Sequence, residues 1–162
     1  MTNGAASEIE LAGFPHHALD NYLPRLVRSG CRVAVCDQLE DPKLAKGIVK
    51  RGVTEIVTPG VALSDRMLEH NRNNYLAGVW FDTHTTMAIA FLDVSTGDFF
   101  CHHGPIEQVE KLLYALRPSE VVVSRDDMKV FSSLFQQEFY TYRMENWAFT
   151  YEHALKRLLG HF

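Results

Sequence analysis

The most suggestive group of polar side chains in this sequence lies at residues 93–97, where Asp-Val-Ser-Thr-Gly follows an apolar stretch. An acidic residue at the end of a strand, followed by a small polar turn, can hold Mg²⁺ beside a phosphate group. A two-metal site needs several carboxylates, and the neighbouring predicted strand offers only Glu120. Asp126 and Asp127 stand where they would cap a helix. We therefore interpret Asp93 as a turn-capping residue, and predict no metal site and no catalytic residue.

The dense positive charge of the chain is confined to residues 43–51. This run contains Lys43, Lys46, Lys50 and Arg51 and no acidic residue, although the whole chain of 162 residues has a formal net charge of −4. Ammonium and guanidinium groups neutralise phosphates without reading sequence. From the residues alone we interpret the run as a solvated loop face, with contact to phosphate groups as the other interpretation.

Several signatures of catalysis and targeting are missing from the sequence. It has no G-x-x-x-x-G-K-[ST] phosphate loop, no G-x-G-x-x-G and no G-x-S-x-G, so we expect this chain not to bind or hydrolyse ATP. The adjacent histidine pairs at 16–17 and 102–103 diverge and should not share a metal. Cys31, Cys36 and Cys101 lack metal-ligand spacing and are predicted to be reduced thiols. With no signal peptide and no membrane-length apolar run, we expect a cytoplasmic protein without membrane contact.

The apolar pattern predicts two α/β units. Apolar residues make up 46% of the chain and charged residues 22%, which is typical of globular domains. We place the first unit at residues 1–62, a polar linker at 63–74 and the second unit at 75–162. In the first, a helix at 16–29 ends before Gly30, and strands follow at 31–36 and 53–57.

The second unit reads as strands and helices in the order β-β-β-α-β-α-β-α. The predicted strands are residues 75–81, 86–94, 99–101, 120–123 and 139–144, and the predicted helices are 106–116, 126–137 and 150–159. The nearly continuous apolar run at 120–123 is typical of a buried parallel strand. Helix 150–159 has an apolar stripe of its own, and we expect all three helices to cover the sheet.

Several blocks of the sequence closely resemble the MutS family of bacterial mismatch-repair proteins. They occur in order at the family's spacing, and they are residues 12–18 (AGFPHHA), 22–23, 26–27, 32–38 (RVAVCDQ), 40–42 (EDP), 46–47, 50–51, 57–60 (VTPG), 73–77 (NNYLA) and 92–99 (LDVSTGDF). The resemblance covers residues 11 to about 125 and becomes diffuse beyond them. It implies the second half of a mixed α/β mismatch-recognition domain, followed by most of a ribonuclease H-like connector domain that is not a nuclease.

The resemblance also implies what the whole protein does. The family binds mismatched double-stranded DNA as a homodimer, uses ATP and Mg²⁺ in a separate domain, and signals to the MutL matchmaker. The family's Phe-x-Glu mismatch wedge has no counterpart before Ala12. We therefore expect this chain to be an excised piece without a cofactor of its own. The resemblance implies that it contributes communication between domains or with a partner, and DNA-backbone contact through Lys43, Lys46, Lys50 and Arg51.

A second function class stays open from the residues alone. A ribonuclease H-like fold with Asp93 at its first strand end could be an independent metal-dependent nuclease or phosphotransferase. The lack of second and third carboxylates at the sheet ends favours the mismatch-repair interpretation.

Overall fold

The computed structural model describes residues 13–41, 43–44, 47–61, 73–136 and 139–161. In the first unit, the 3₁₀ turn His16–Ala18 leads into α1 (Leu19–Arg28), and the antiparallel strands β1 (Val33–Gln38) and β2 (Arg51–Val57) follow. The predicted helix and both strands are confirmed, although the start of each strand is displaced by two residues. Beyond α1 the chain reverses at Gly30, whose φ of 86° is a conformation that glycine adopts without steric cost.

A small core holds the first unit together. Leu23 and Val27 of α1 pack with Val57 of β2, and Leu19 and Val33 lie half-buried beside them. The apolar residues of α1 also include Tyr22 and Leu26, but both of these side chains are exposed. Only the side of α1 that carries Leu23 and Val27 is therefore buried. Pro24 lies inside α1 without ending it, although proline often kinks or ends a helix.

The second unit is a five-stranded sheet with helices. Its elements in chain order are β3 (Tyr75–Phe81), β4 (Thr86–Asp93), β5 (Phe99–Pro105), α2 (Ile106–Leu116), β6 (Glu120–Ser124), α3 (Met128–Phe135), β7 (Thr141–Met144), the 3₁₀ turn Asn146–Phe149 and α4 (Tyr151–His161). The strand order is β5-β4-β3-β6-β7. β3, β4 and β5 are antiparallel neighbours, while β6 runs parallel to both β3 and β7. This is the expected ribonuclease H-like arrangement, and the predicted element order is confirmed.

The main core lies on one face of this sheet. Alternate residues of the three central strands point to the same side because directly paired residues share a face. They pack with Val109 and Leu113 of α2 and with Phe131 and Phe135 of α3. The strand residues are Ala77, Val79, Met87, Ile89, Phe91, Val121 and Val123. The apolar faces of α2 and α3 are thus buried against the sheet.

The expectation that α4 also covers the sheet is wrong. The structure extends this helix over Tyr151–His161, and every residue in it is at least partly exposed. The members of its predicted apolar stripe are 39–77% exposed; they are Tyr151, Leu155, Leu158 and Leu159. Helical periodicity shows that a helix has an apolar side, but it does not show that an element of the same chain covers that side.

The polar connection between the two units is only partly described. Residues 59–61 form a 3₁₀ turn after β2, and the description resumes at Asn73. Most of the predicted linker, residues 63–72, lies outside the described residues. Among the helices that are described, none has the length and apolar character needed to cross a membrane.

Candidate functional site

The described residues of the predicted DNA-contact group lie on the loop that joins β1 to β2 and at the start of β2. Lys43 and Lys50 are exposed on this loop, and Arg51 is exposed at the first position of β2. Lys46 lies outside the described residues. The structure thus brings three of the four predicted cations to one end of the two-stranded sheet, where an extended polyanion could reach them.

Two carboxylates help to shape this loop. Lys50 donates its backbone N–H to Glu40 Oε1 at 2.6 Å, and Lys43 donates its backbone N–H to Asp41 Oδ1 at 2.9 Å. These two acidic residues lie just before the basic run at 43–51. They reduce the positive potential of the loop, but they are bound to its backbone and leave both lysine side chains exposed.

Two apolar side chains on the same loop were not singled out by sequence reasoning. Leu44 is 80% exposed and Ile48 is fully exposed. In the sequence they lie between the exposed residues Lys43 and Lys50 of the same loop. The available signal was the presence of apolar residues within a basic polar run.

Asp93 is a buried structural carboxylate at the end of β4, with 1% of its surface exposed. Its Oδ1 accepts hydrogen bonds from the Ser95 backbone N–H at 2.9 Å, the Ser95 hydroxyl at 2.6 Å and the Thr96 N–H at 3.3 Å. Its Oδ2 accepts the Asn74 N–H at 2.9 Å. Both oxygens are therefore engaged by the chain's own donors, which fits the turn-capping interpretation.

These contacts set the protonation state of the group. Burial raises the pKa of the Asp93 carboxyl, but hydrogen bonds from the Ser95 hydroxyl and from three backbone amides outweigh it, so that the pKa lies below its ordinary value. Asp93 is thus held as the anion. Within the described part of the chain, no three His, Cys, Asp or Glu side chains are grouped so that they could hold a metal ion.

The histidine pair of β5 has diverging partners, as predicted. His103 Nε2 lies 3.1 Å from Asp82 Oδ2, while His102 Nε2 lies 3.2 Å from Gln108 Oε1 on α2. The two rings leave opposite faces of the strand. The three cysteines are free and exposed.

A polar cluster at the meeting of the two units was missed by sequence reasoning. Asn74, one residue before β3, donates its side-chain N–H to the Pro59 carbonyl at 3.0 Å and accepts the Ser119 hydroxyl at 2.6 Å. Its side chain therefore joins the turn after β2 to the segment before β6. Nothing in the local pattern at 73–74 indicates these partners, because they lie 15 and 45 residues away.

Glu120 supports the same turn from the sheet. Its side chain is 2% exposed, and its Oε2 accepts the Gly60 N–H at 3.2 Å. A Cβ on Gly60 would lie 2.9 Å from both Glu120 Cβ and Leu76 Cδ1. The turn thus lies so close to the starts of β3 and β6 that only a glycine fits at position 60.

A second contact between the units involves the edge strand β7. The Arg32 guanidinium carbon lies 3.4 Å from the centroid of the Tyr142 ring, a cation–π geometry. Nearby, a Cβ on Gly30 would lie 3.2 Å from the Tyr140 ring. Burial raises the pKa of the Tyr140 phenol, and the Glu120 carboxylate raises it further, while Arg32 lowers it.

Comparison with known sequences gives a consistent result for both units. Residues 1–66 match the profile of MutS domain I, and residues 74–162 match that of MutS domain II. The DNA mismatch repair protein MutS of Cytophaga hutchinsonii is 53% identical over 160 residues, which is 99% of this chain and 19% of the relative. The MutS proteins of Parabacteroides distasonis and Porphyromonas gingivalis are 51% and 52% identical over 99% of this chain and 18% of their own length. The chain thus spans less than a fifth of the relatives it matches.

Proposed function

Because this chain belongs to the MutS family of DNA mismatch-repair proteins, we propose that it supplies DNA-backbone contact and communication between domains to a mismatch sensor. The observation that carries the proposal is the exposed basic group Lys43, Lys50 and Arg51 on the loop and first residue of β2. Lys46 belongs to the same proposal from its sequence position. Such side chains position a protein on a duplex without reading its bases.

The wider setting of this activity is also a proposal. In the whole protein, mismatched DNA is bound by a homodimer, and ATP with Mg²⁺ acts in a domain other than the two matched here. MutL is the partner that receives the signal, and the setting is cytoplasmic. We place the domain boundary within residues 63–74, and assign no catalytic residue and no cofactor to this chain. The engagement of both Asp93 oxygens by internal donors supports this over a nuclease built on that residue.

Salt dependence tests the DNA contact. We expect weak binding of a fluorescent duplex by this chain, with a log Kd that rises linearly with log salt concentration. Each lost phosphate contact lowers the slope by about 0.9. The double variant Lys43→Gln with Lys50→Gln should therefore lower the salt slope by about 2. The control Lys111→Gln with Lys129→Gln removes the same charge from exposed positions on α2 and α3, and should leave the slope unchanged. Equal slopes for the two double variants would refute the assignment.

The same assay tests whether this chain distinguishes a mismatched duplex from a fully paired one. Backbone contacts carry no sequence information, so we expect equal affinity for a G·T-mismatched and a fully paired duplex. A tenfold preference for the mismatch, about 1.4 kcal/mol, would show that this chain reads the lesion itself and that the roles are wrongly assigned.

A further inference from the structure

Within the described ranges, contacts between the two units lie in two separate regions, and each region involves a different part of the first unit. The turn Pro59–Val61 meets Asn74 and Glu120 at one end of the five-stranded sheet. Arg32, just before β1, meets Tyr142 on the edge strand β7. A single contact would leave the units able to pivot about it, whereas two separated contacts oppose rotation.

Asn74 is held in place by hydrogen bonds from both its backbone and its side chain. Its backbone N–H is fixed to the buried Asp93 carboxylate, and its side-chain amide is engaged at both ends, by the Pro59 carbonyl and the Ser119 hydroxyl. The residue at which the second unit begins is therefore oriented by three hydrogen bonds. One of them crosses to the first unit.

The fit around these bonds is close. Gly60 leaves no space for a Cβ against Glu120 and Leu76, and Gly30 lies against the Tyr140 ring with almost as little space. Packed surfaces of this kind resist small displacements because nearby atoms would overlap. The polar bonds fix the direction of the contact and the glycines fix its distance.

We propose that Asn74, Glu120 and the Arg32–Tyr142 pair form an interdomain latch, which holds the β1–β2 unit and the five-stranded unit in one orientation. The inference deepens the proposed function, since it gives communication between the domains a physical route. A displacement of the loop between β1 and β2 would then move the five-stranded unit as well, because the two units form one rigid body. These four residues together are the latch.

The chain carries suitable positions for a direct measurement. Cys36 on β1 and Cys101 on β5 are exposed free thiols, one in each unit. Cys31→Ser removes the remaining thiol and keeps a polar side chain beside Ser29. Nitroxide labels on the two cysteines would report the distance between the units by double electron–electron resonance, in the absence of DNA.

The latch predicts a single narrow distance distribution in the Cys31→Ser background. Asn74→Ala with Arg32→Ala should broaden it at least twofold in width, since it removes one bond at each contact. The variant keeps the Asn74 backbone bond to Asp93, so circular dichroism should show both units folded. Each single substitution should give intermediate broadening.

Ser124→Ala provides a matched control. Ser124 is a buried hydroxyl bonded to Asp127, at the end of β6 opposite Glu120, and makes no contact with the first unit in either region. Its substitution should leave the distribution narrow. A broad distribution in the background, or a narrow one that survives the double substitution in a folded chain, would overturn the latch. Because no DNA is present, neither result depends on the proposed DNA contact.

Discussion

At the scale of single residues, Asp93 shows how an acidic side chain at a strand end can be structural. Its position suggested metal chemistry, and the absence of further carboxylates in the sequence argued against it. The structure adds four donors that the sequence did not identify in full. The Ser95 and Thr96 contacts are local and follow from the turn, while the contact with Asn74 depends on pairing between β3 and β4.

Asp93→Asn should destabilise the second unit by about 1–3 kcal/mol, because an amide N–H₂ in place of one carboxylate oxygen would leave two donors facing each other. The pair most affected is the new amide and the Asn74 N–H, now 2.9 Å from Oδ2. This exceeds the effect of about 1 kcal/mol expected for an ordinary cap. Urea denaturation would measure the change.

The control is Asp98→Asn in the same turn, which removes the same charge from an exposed carboxylate bonded to Asn73. It should change the free energy of unfolding by about 0.5 kcal/mol or less. Equal losses in the two variants would mean that net charge, and not the buried hydrogen bonds, is responsible.

Acid should remove the contribution of Asp93. The pKa of its carboxyl is below the ordinary 3.8 in the folded chain, so the unfolded chain takes up a proton first as the pH falls. The stabilisation is present above about pH 3.8 and is lost as the pH falls through the lower, folded value. The difference in unfolding free energy between the parent chain and Asp93→Asn should therefore shrink below pH 3.8. A difference that stays constant from pH 6 to pH 2 would contradict this.

At the scale of elements, local pattern predicted α2 and the β3–β4 hairpin almost to the residue. Alternation in β4 and helical spacing in α2 describe burial against the same core, so pattern and packing agree. β5 proved four residues longer than predicted because its partner β4 continues alongside it. Such an extension depends on a neighbouring strand and is not visible within the segment.

Two leucine substitutions distinguish a packed helix from an unpacked one. Leu113→Ala on α2 removes a fully buried side chain and should cost about 2–5 kcal/mol. Leu155→Ala on α4 removes a side chain that is 39% exposed, and should cost less than about 1 kcal/mol. Thermal or urea unfolding of both variants would measure the ratio. Comparable losses would show that the α4 stripe is covered in solution.

At the scale of the whole molecule, the sequence predicted the two units but not how they meet. The Gly60–Glu120 bond joins positions 60 residues apart, and the Arg32–Tyr142 contact joins positions further apart still. Neither Gly60 nor Asn74 has a side chain whose type alone points to a partner. The basic group of the candidate site could be found from sequence because it is contiguous, whereas the latch is assembled from distant segments.

Gly60→Ala tests the close approach between the units. The new methyl group would overlap Glu120 and Leu76, and should cost about 1–3 kcal/mol, the usual effect of overpacking. Gly78→Ala in β3 is the matched control, because a Cβ there has no atom among its surroundings within 4 Å. It should be neutral or stabilising by up to about 1 kcal/mol. Urea midpoints that fall equally for both would refute the steric argument.

The small core of the first unit has a consequence for the order in which the molecule folds. A two-stranded sheet is marginal on its own, and among the described residues only Leu23, Val27 and Val57 form the buried cluster beneath it. The five-stranded unit has a much larger core and can act as the template on which the hairpin and α1 settle. Amide hydrogens of β1 should accordingly exchange with solvent through a lower-energy opening than those of β3 and β4. The unit that carries the proposed DNA-contact loop would then be the last to fold and the first to open.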